Sequence, residues 1–475
     1  MPFTEAWDLD EAIRSYGLPG FRPGQREAIE TLFVQKRLLY IAPTGGGKSL
    51  IYQLPATLLP GTTLVISPLI SLMIDQVASL GRRAIPSTFL ASSLGDGELG
   101  QRLRGLGEGR YKVVFITPER LISKRFRAIL ARIERPLVAI DEAHCISEWG
   151  HDFRPEYLRI GELLRELPPQ RILACTASAT PRVRAEILER LDLGADTPQI
   201  VLGFARPNLA LSIRRVRSRV KRNAVVDAML RKTLGTPTRE SSKRGASRAR
   251  RASKRARGKA SAKTGLGNGA VILYAATRRA VEAEARRLRE DGWDCQAYHA
   301  GLAPEVRASV QAGFTAGALN VIVATNAFGM GIDRADVRLV IHLAPPGSIE
   351  SYYQEVGRAG RGGEPARGML LVTSQDIAIR RQMVTRAEVD DSTEGAAAQK
   401  SESVERRRAL FDEMMRWAEG GQCRHDGMLR YFGEATGRSG CGRCDVCVRK
   451  RKWTYPARTL RRFRSSLGST SKRNA

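Results

Sequence analysis

The chain has 475 residues, 42% hydrophobic and 27% charged, with a formal net charge of +29. That length supports two or three domains, each with its own core, and a balance this basic suits a phosphate polymer better than a small acidic ligand. The longest apolar stretch, 64–74, is broken by Ser67, Pro68 and Ser71 and falls short of the ~18 residues of a membrane span, so no transmembrane helix is expected.

The N-terminus, MPFTEAWDLDEAIRSYG, carries acids and lacks the basic-then-apolar order of a signal peptide, which predicts a cytoplasmic location. From there to about residue 205, short apolar runs alternate with amphipathic stretches: LLYIAPTG, TLVISPL, VVFITPER, PLVAIDEAH and RILACTASAT. Runs that are apolar along their whole length and separated by helical patterns predict parallel strands buried on both faces.

The first of these runs leads into APTGGGKS at 42–49, which fits the Walker A pattern except that Ala42 replaces its first Gly. In this loop (Thr44, Gly45, Gly46, Gly47) the glycines let backbone N–H groups curl around phosphate oxygens at a helix N-terminus. Lys48 reaches the β and γ phosphates of ATP, and Ser49 ligates Mg²⁺. About 95 residues on, Asp141 and Glu142 close the strand LVAI. Asp141 is expected to hold Mg²⁺ with Ser49, and Glu142 to orient and deprotonate the attacking water.

Residues 141–157 read DEAHCISEWGHDFRPEY. Trp149, His151, Phe153 and Arg154 suit stacking on bases and contact with a strand, so one loop is placed to touch both nucleotide and nucleic acid. The polar neighbours Glu148, His151 and Asp152 argue for an exposed loop.

The same strand grammar returns after residue 268 in AVILYAAT, CQAYHAG, NVIVATNAFGMGID, VRLVIHLAPP and GMLLVT, which predicts a second doubly wound α/β domain. Between the domains, 239–263 carries a net charge of +10 and few large apolar residues. It reads as a disordered basic insertion within the start of the second domain. In that domain, 351–361 reads SYYQEVGRAGR. Charge spread over a transferring phosphoryl group calls for a cation from the opposite side of the nucleotide, a role suited to Arg361 with Arg358 beside it.

A polar stretch from Glu388 is followed by Leu410, Phe411, Met414, Met415 and Trp417 at helical spacing, a core stripe. Cys145, Cys175 and Cys295 sit singly in apolar contexts. Cys423, Cys441, Cys444 and Cys447 instead crowd together near the end, and four thiolates with this spacing predict a structural tetrahedral Zn²⁺. His425 is an alternative ligand and a redox switch an alternative reading. Arg424, Arg443 and Arg449 are expected to offset the charge of the thiolates. The segment 448–475 adds another +10.

In order, FRPGQREAI, APTGGGKS, VISPLISLMIDQV, FITPERL, DEAHCISEWGHDFRPEY, TASAT, ARPNL, VILYAATR, YHAGL, VIVATNAFGMGIDRADVRLVIH and SYYQEVGRAGRGG resemble the RecQ family of superfamily 2 DNA helicases from about Asp10 to Cys447. The resemblance implies two RecA-like parallel-sheet domains in tandem plus a small helical zinc-binding module, adenine recognition by Arg22 and Gln25, and ATP-driven 3′ to 5′ movement on single-stranded DNA. It also implies that Trp149 and Phe153 grip a strand that Arg154 steadies, with His151 relaying contact towards Glu142. The expected divisions are 1–206 and 207–373 for the two domains, with the insertion at about 236–267, then 374–448 for the zinc module and 449–475 for a basic tail. The segment after Cys447 is too short for the winged-helix domain of many relatives, so efficient strand separation is not implied.

The function expected is an ATP-dependent DNA helicase or translocase acting on single-stranded and forked DNA in repair or recombination, cytoplasmic and nucleoid-associated. An RNA helicase and a non-motor DNA-binding or annealing protein are the alternatives.

Overall fold

The computed structural model describes residues 7–43, 45–150, 152–237, 269–329, 334–386, 397–437 and 440–454. Thr44, His151, nearly all of the basic insertion and the tail beyond 454 lie outside the described residues.

Seven strands make the first sheet: β1 (Arg37–Ile41), β2 (Thr63–Ile66), β3 (Ser87–Leu90), β4 (Val113–Ile116), β5 (Val138–Ile140), β6 (Ile172–Thr176) and β7 (Gln199–Val201), in spatial order β3-β4-β2-β5-β6-β1-β7. Every pairing is parallel. The second sheet holds β8 (Leu209–Arg215), β9 (Ala270–Tyr274), β10 (Cys295–Tyr298), β11 (Val321–Ala324), β12 (Val337–His342) and β13 (Ala366–Val372), in order β10-β11-β9-β12-β13-β8, again wholly parallel. These are two RecA-like domains in tandem.

Burial explains which strands the apolar runs announced. β2, β4, β5, β6, β9 and β11 are buried at every residue, because helices cover both faces of the sheet. β3, β7 and β8 stand at sheet edges; β3 and β8 mix buried with more exposed positions and β7 has no buried residue, so no continuous run marks them.

Sheet order also builds the site. β5, β6 and β1 are neighbours, so the segments leaving their C-terminal ends (Asp141, Ala177 and the Walker loop) emerge side by side at the crevice where parallel sheets bind ligands. The helix Leu50–Leu58 follows the loop directly, and Thr180 caps the helix Pro181–Arg190 by accepting from the Val183 amide.

Helices Ala397–Glu419, Arg424–Tyr431 and Asp445–Thr454 form a small module at the lobe junction. Phe411 and Met414 of its long helix are fully buried, with Met415 and Trp417 against the same core. Phe432 stacks on Phe204 of the interdomain connection at 4.2 Å and meets Tyr353 of the second lobe at 5.1 Å. From the first lobe, Arg184 donates to the Phe432 carbonyl at 2.6 Å. One hydrophobic cluster therefore runs through both lobes and the module. No helix among the described residues is long and apolar enough to cross a membrane.

Candidate nucleotide cleft, aromatic loop and metal centre

The Walker loop is held from outside by Arg22 and by Gln25, the first residue of the helix Gln25–Gln35. Arg22 donates to the Gly45 carbonyl at 2.6 Å and Gln25 to the Gly47 carbonyl at 3.0 Å, and the Gln25 carboxamide oxygen accepts from the Arg22 amide. Gly45 and Gly47 have φ of +83° and +76°, the left-handed region that glycine adopts without strain. A side chain at Gly47 would also meet the Gln25 amide nitrogen at 2.4 Å. Lys48 Nζ lies 3.3 Å from the Ala42 carbonyl.

Asp141 and Glu142 face this loop across a cleft of about 570 Å³ also lined by Arg22, Gln25, Gly45, Gly47, Lys48 and Ser49. Burial, with Glu142 beside it, pushes the Asp141 carboxyl up to about 6, and Lys48 works in the other direction. A buried carboxylate facing a hydroxyl offers oxygen ligands to a hard divalent cation, and the ammonium beside them suits phosphate oxygens, so the cleft fits ATP with Mg²⁺. The Glu142 backbone sits at φ +49°, left-handed for a non-glycine residue.

From the second lobe, Arg358, Arg361 and Gln354 line the same cleft. A Cβ built on Gly45 would touch Arg361 Cγ and Cδ at 3.9 Å, so the Arg361 stem lies over the Walker loop. Arg358 is buried and donates to the Gly329 carbonyl. The arginine loop is cradled by ARPN: Arg206 donates to the Gly357 and Ala359 carbonyls at 2.7 Å each, and Asn208 to those of Gly360 and Glu364.

Several residues that pattern did not single out connect these parts. His144 Nδ1 lies 2.8 Å from Thr176 Oγ1 and 3.3 Å from a Glu142 carboxylate oxygen. Burial alone would depress the His144 imidazole, but the Cys145 sulfur and the Glu142 carboxylate beside it raise it well above its ordinary value. Gln354 donates to Ser178 Oγ at 3.0 Å across the lobes. TASAT and SYYQEVGRAGR were visible as strings, but nothing in either string names its partner in the other lobe.

Trp149 and Phe153 lie at the boundary between the lobes. Trp149 is half-buried, with the Arg182 guanidinium 3.4 Å from its ring centre and that of Arg406, from the module's long helix, 5.3 Å away. Arg406 also pairs with Glu148 at 2.7 Å. The indole is thus less open than a polar loop suggests, because two cations from other elements cover it. Phe153 lines a groove of about 370 Å³ shared with Asn326, Ser348, Arg380 and Arg407. Arg154 reaches the Asp152 carboxylate at 3.2 Å and the Pro68 carbonyl at 3.4 Å.

The sulfurs of Cys423, Cys441, Cys444 and Cys447 lie within 4.8 Å of one another. Ligands of a tetrahedral ion with ~2.3 Å Zn–S bonds are roughly 3.8 Å apart. Backbone amides of Cys441, Cys444 and Cys447 point at these sulfurs from 3.3 to 3.4 Å, as suits thiolates. The set fits Zn²⁺. Arg424 differs from expectation: its guanidinium turns to Asp445 at 3.0 Å and to the Trp417 and Gly420 carbonyls, while its backbone amide serves Cys444.

Residues 22–187 match the DEAD/DEAH box helicase family, 262–363 the helicase conserved C-terminal domain and 374–448 the RecQ zinc-binding domain. The chain is 38% identical over 435 residues to the ATP-dependent DNA helicase RecQ of Bacillus subtilis, which covers 91% of this chain and 65% of that protein. With the Pasteurella multocida protein of the same name, identity is 38% over 443 residues, 93% of this chain and 62% of that one. The chain thus spans a little under two thirds of these relatives. Among solved structures, Mycobacterium smegmatis helicase Lhr bound to ssDNA and AMP-PNP superposes with a TM-score of 0.55 at 21% identity, covering 88% of this chain and 58% of that one. Dbp5 of S. cerevisiae bound to RNA and ADP BeF3 gives 0.58 at 14%, covering 85% and 97%. These two likenesses support the fold.

Proposed function

We propose that the chain is a RecQ-type ATP-dependent DNA helicase or translocase that moves 3′ to 5′ on single-stranded and forked DNA in repair or recombination, a reading supported by its match to the RecQ zinc-binding domain and its 38% identity to two RecQ proteins. The observation that carries the reading is one cleft lined by Lys48, Ser49, Asp141 and Glu142 of the first lobe and by Arg358 and Arg361 of the second. Hydrolysis at such a junction depends on how the lobes sit, and how they sit depends on the strand between them.

Ser49 and Asp141 hold Mg²⁺, which neutralises phosphate charge when bound. Gly45, Gly46 and Gly47, with Thr44, cradle the phosphates; Arg22 and Gln25 brace that loop and face the adenine. Lys48 stabilises the β and γ phosphates, Glu142 accepts the proton of the attacking water, and Arg361 with Arg358 meets the charge that develops on the transferring group. Phe153 stacks on bases, contributing roughly 1 to 3 kcal/mol, and Trp149 joins it once the Arg182 and Arg406 guanidiniums over its ring give way. Arg154 steadies the backbone beside them, and His151 relays strand contact towards Glu142. Cys423, Cys441, Cys444 and Cys447 hold a structural Zn²⁺. A nucleoid-associated cytoplasmic protein is the matching location.

Removing a cation of the Arg361 type costs about 10³-fold or more in kcat, so Arg361→Ala should nearly abolish DNA-stimulated hydrolysis while a fluorescent nucleotide analogue still binds. Lys48→Ala should remove hydrolysis and strand displacement together. The direct test compares both activities on 3′-tailed, 5′-tailed and blunt duplexes and on poly-rU. Preference for the 3′ tail supports the reading, and stimulation by RNA alone sinks it.

A further inference from the structure

The helix Ser374–Arg386 separates two cavities. Arg380 and Met383 line the groove that holds Phe153; Ile379 lines a larger cavity of about 840 Å³. This second cavity shares no lining residue with the nucleotide cleft. It opens at the C-terminal ends of β8, β9, β12 and β13, between the chain segments that follow those strands.

Three helices start at its wall: Arg219–Leu234, capped by Ser218; Arg278–Glu290, capped by Thr277; and Ser374–Arg386. Their N-terminal ends add partial positive charge. Five arginines line the cavity: Arg215, Arg217, Arg219, Arg222 and Arg279. The two acids among its described lining residues are already engaged, Glu284 with Arg287 at 2.7 Å and Asp376 with the Thr373 hydroxyl at 2.6 Å and Arg222 at 3.9 Å. Arg215 pairs with Glu419. Arg217, Arg219 and Arg279 are exposed and have no ionic partner among the described residues.

We propose that this arginine cavity is a second nucleic-acid seat, which holds the phosphodiester backbone of a strand continuing past the helix Ser374–Arg386 from the groove at Phe153. Among the described residues no aromatic side chain lines the cavity, so bases have nothing there to stack on and phosphate is what it recognises. A polymer fits better than a free anion because exposed cations continue beyond the cavity at Arg214, Lys221 and Arg278. The identity of the polymer as DNA rests on the function proposed above.

The test measures binding of a long fluorescein-labelled oligothymidylate to the full chain by anisotropy across a salt series, without ATP. With ~0.7 of slope per phosphate contact, R217A/R219A/R279A should flatten the dependence of log K on log salt by about 2 and weaken low-salt binding about tenfold. R217K/R219K/R279K should keep the wild-type slope. An unchanged slope in the alanine variant overturns the proposal, as does an equal loss of slope in the lysine variant, which would mean that charge is not what matters. Inorganic phosphate separates the sources: a phosphate-specific rise in wild-type Tm, absent from the alanine variant and with no change in oligonucleotide slope, assigns the cavity to a small anion and overturns the polymer seat. A chain that binds DNA as expected but does not hydrolyse ATP sinks the motor alone; hydrolysis with an unchanged slope sinks this seat alone.

Discussion

Asp141 shows how a single site residue opposes the fold that holds it. Its carboxyl is pushed from 3.8 to about 6 by burial, so keeping it ionised costs the folded protein above that pH. The cost is absent below about 4, grows as pH rises to about 6, and is then constant at about 3 kcal/mol as an upper figure. In metal-free protein, Asp141→Asn should therefore raise Tm at pH 8, with the gain shrinking between pH 6 and 4, while hydrolysis is lost. A Tm gain independent of pH would falsify the assignment of its cause. The GGGKS glycines and the DE pair could be read from the chain because local chemistry defines them. The contacts of His144 with Thr176 and of Gln354 with Ser178 could not, since the latter joins residues 176 positions apart.

At the scale of elements, the aromatic loop is tied to the module's long helix. Glu148 and Trp149 both meet Arg406, whose side chain is only 8% exposed. Breaking a charge-assisted hydrogen bond of this kind costs about 1.5 to 3 kcal/mol. Arg406→Ala should lose that much in urea unfolding, and a double-mutant cycle with Glu148→Ala should return a coupling above ~0.5 kcal/mol; strictly additive losses would show the pair to be incidental. The cysteine cluster is a second such element. Structural zinc contributes on the order of 10 kcal/mol to small modules, so strong chelation or Cys444→Ser should unfold the region around Trp417 first, visible as a red shift of indole emission before the lobes melt. Strands of the sheet centres were legible because helices bury both their faces. β3, β7 and β8 escaped because these edge strands keep several positions partly open, whereas β10, also at an edge, is buried at three of its four positions and was marked by CQAYHAG.

Across the whole molecule, Phe432 is where the module, the interdomain connection and both lobes meet: it stacks on Phe204, packs on Tyr353 and offers its carbonyl to Arg184. Glu434 adds a carboxylate oxygen 2.5 Å from the Phe204 amide. A buried Phe→Ala change costs about 3 to 5 kcal/mol. Phe432→Ala should therefore lower global stability by that amount and also loosen the lobes, seen as increased proteolysis near residue 204; a stability loss without new cleavage there would mean that the ring fills space without holding the junction.

The chain's sequence alone determined its two parallel-sheet lobes, its glycine-rich loop with the acidic pair, and its cluster of four thiols, because each depends on a local run, a tight turn or a short spacing. Tertiary structure alone decided that Arg361 lies over the Walker loop, that Trp149 sits beneath two guanidiniums, and that five arginines gather at one end of the second sheet. Those facts follow from sheet order and from packing between elements distant in the chain, and a linear pattern carries neither.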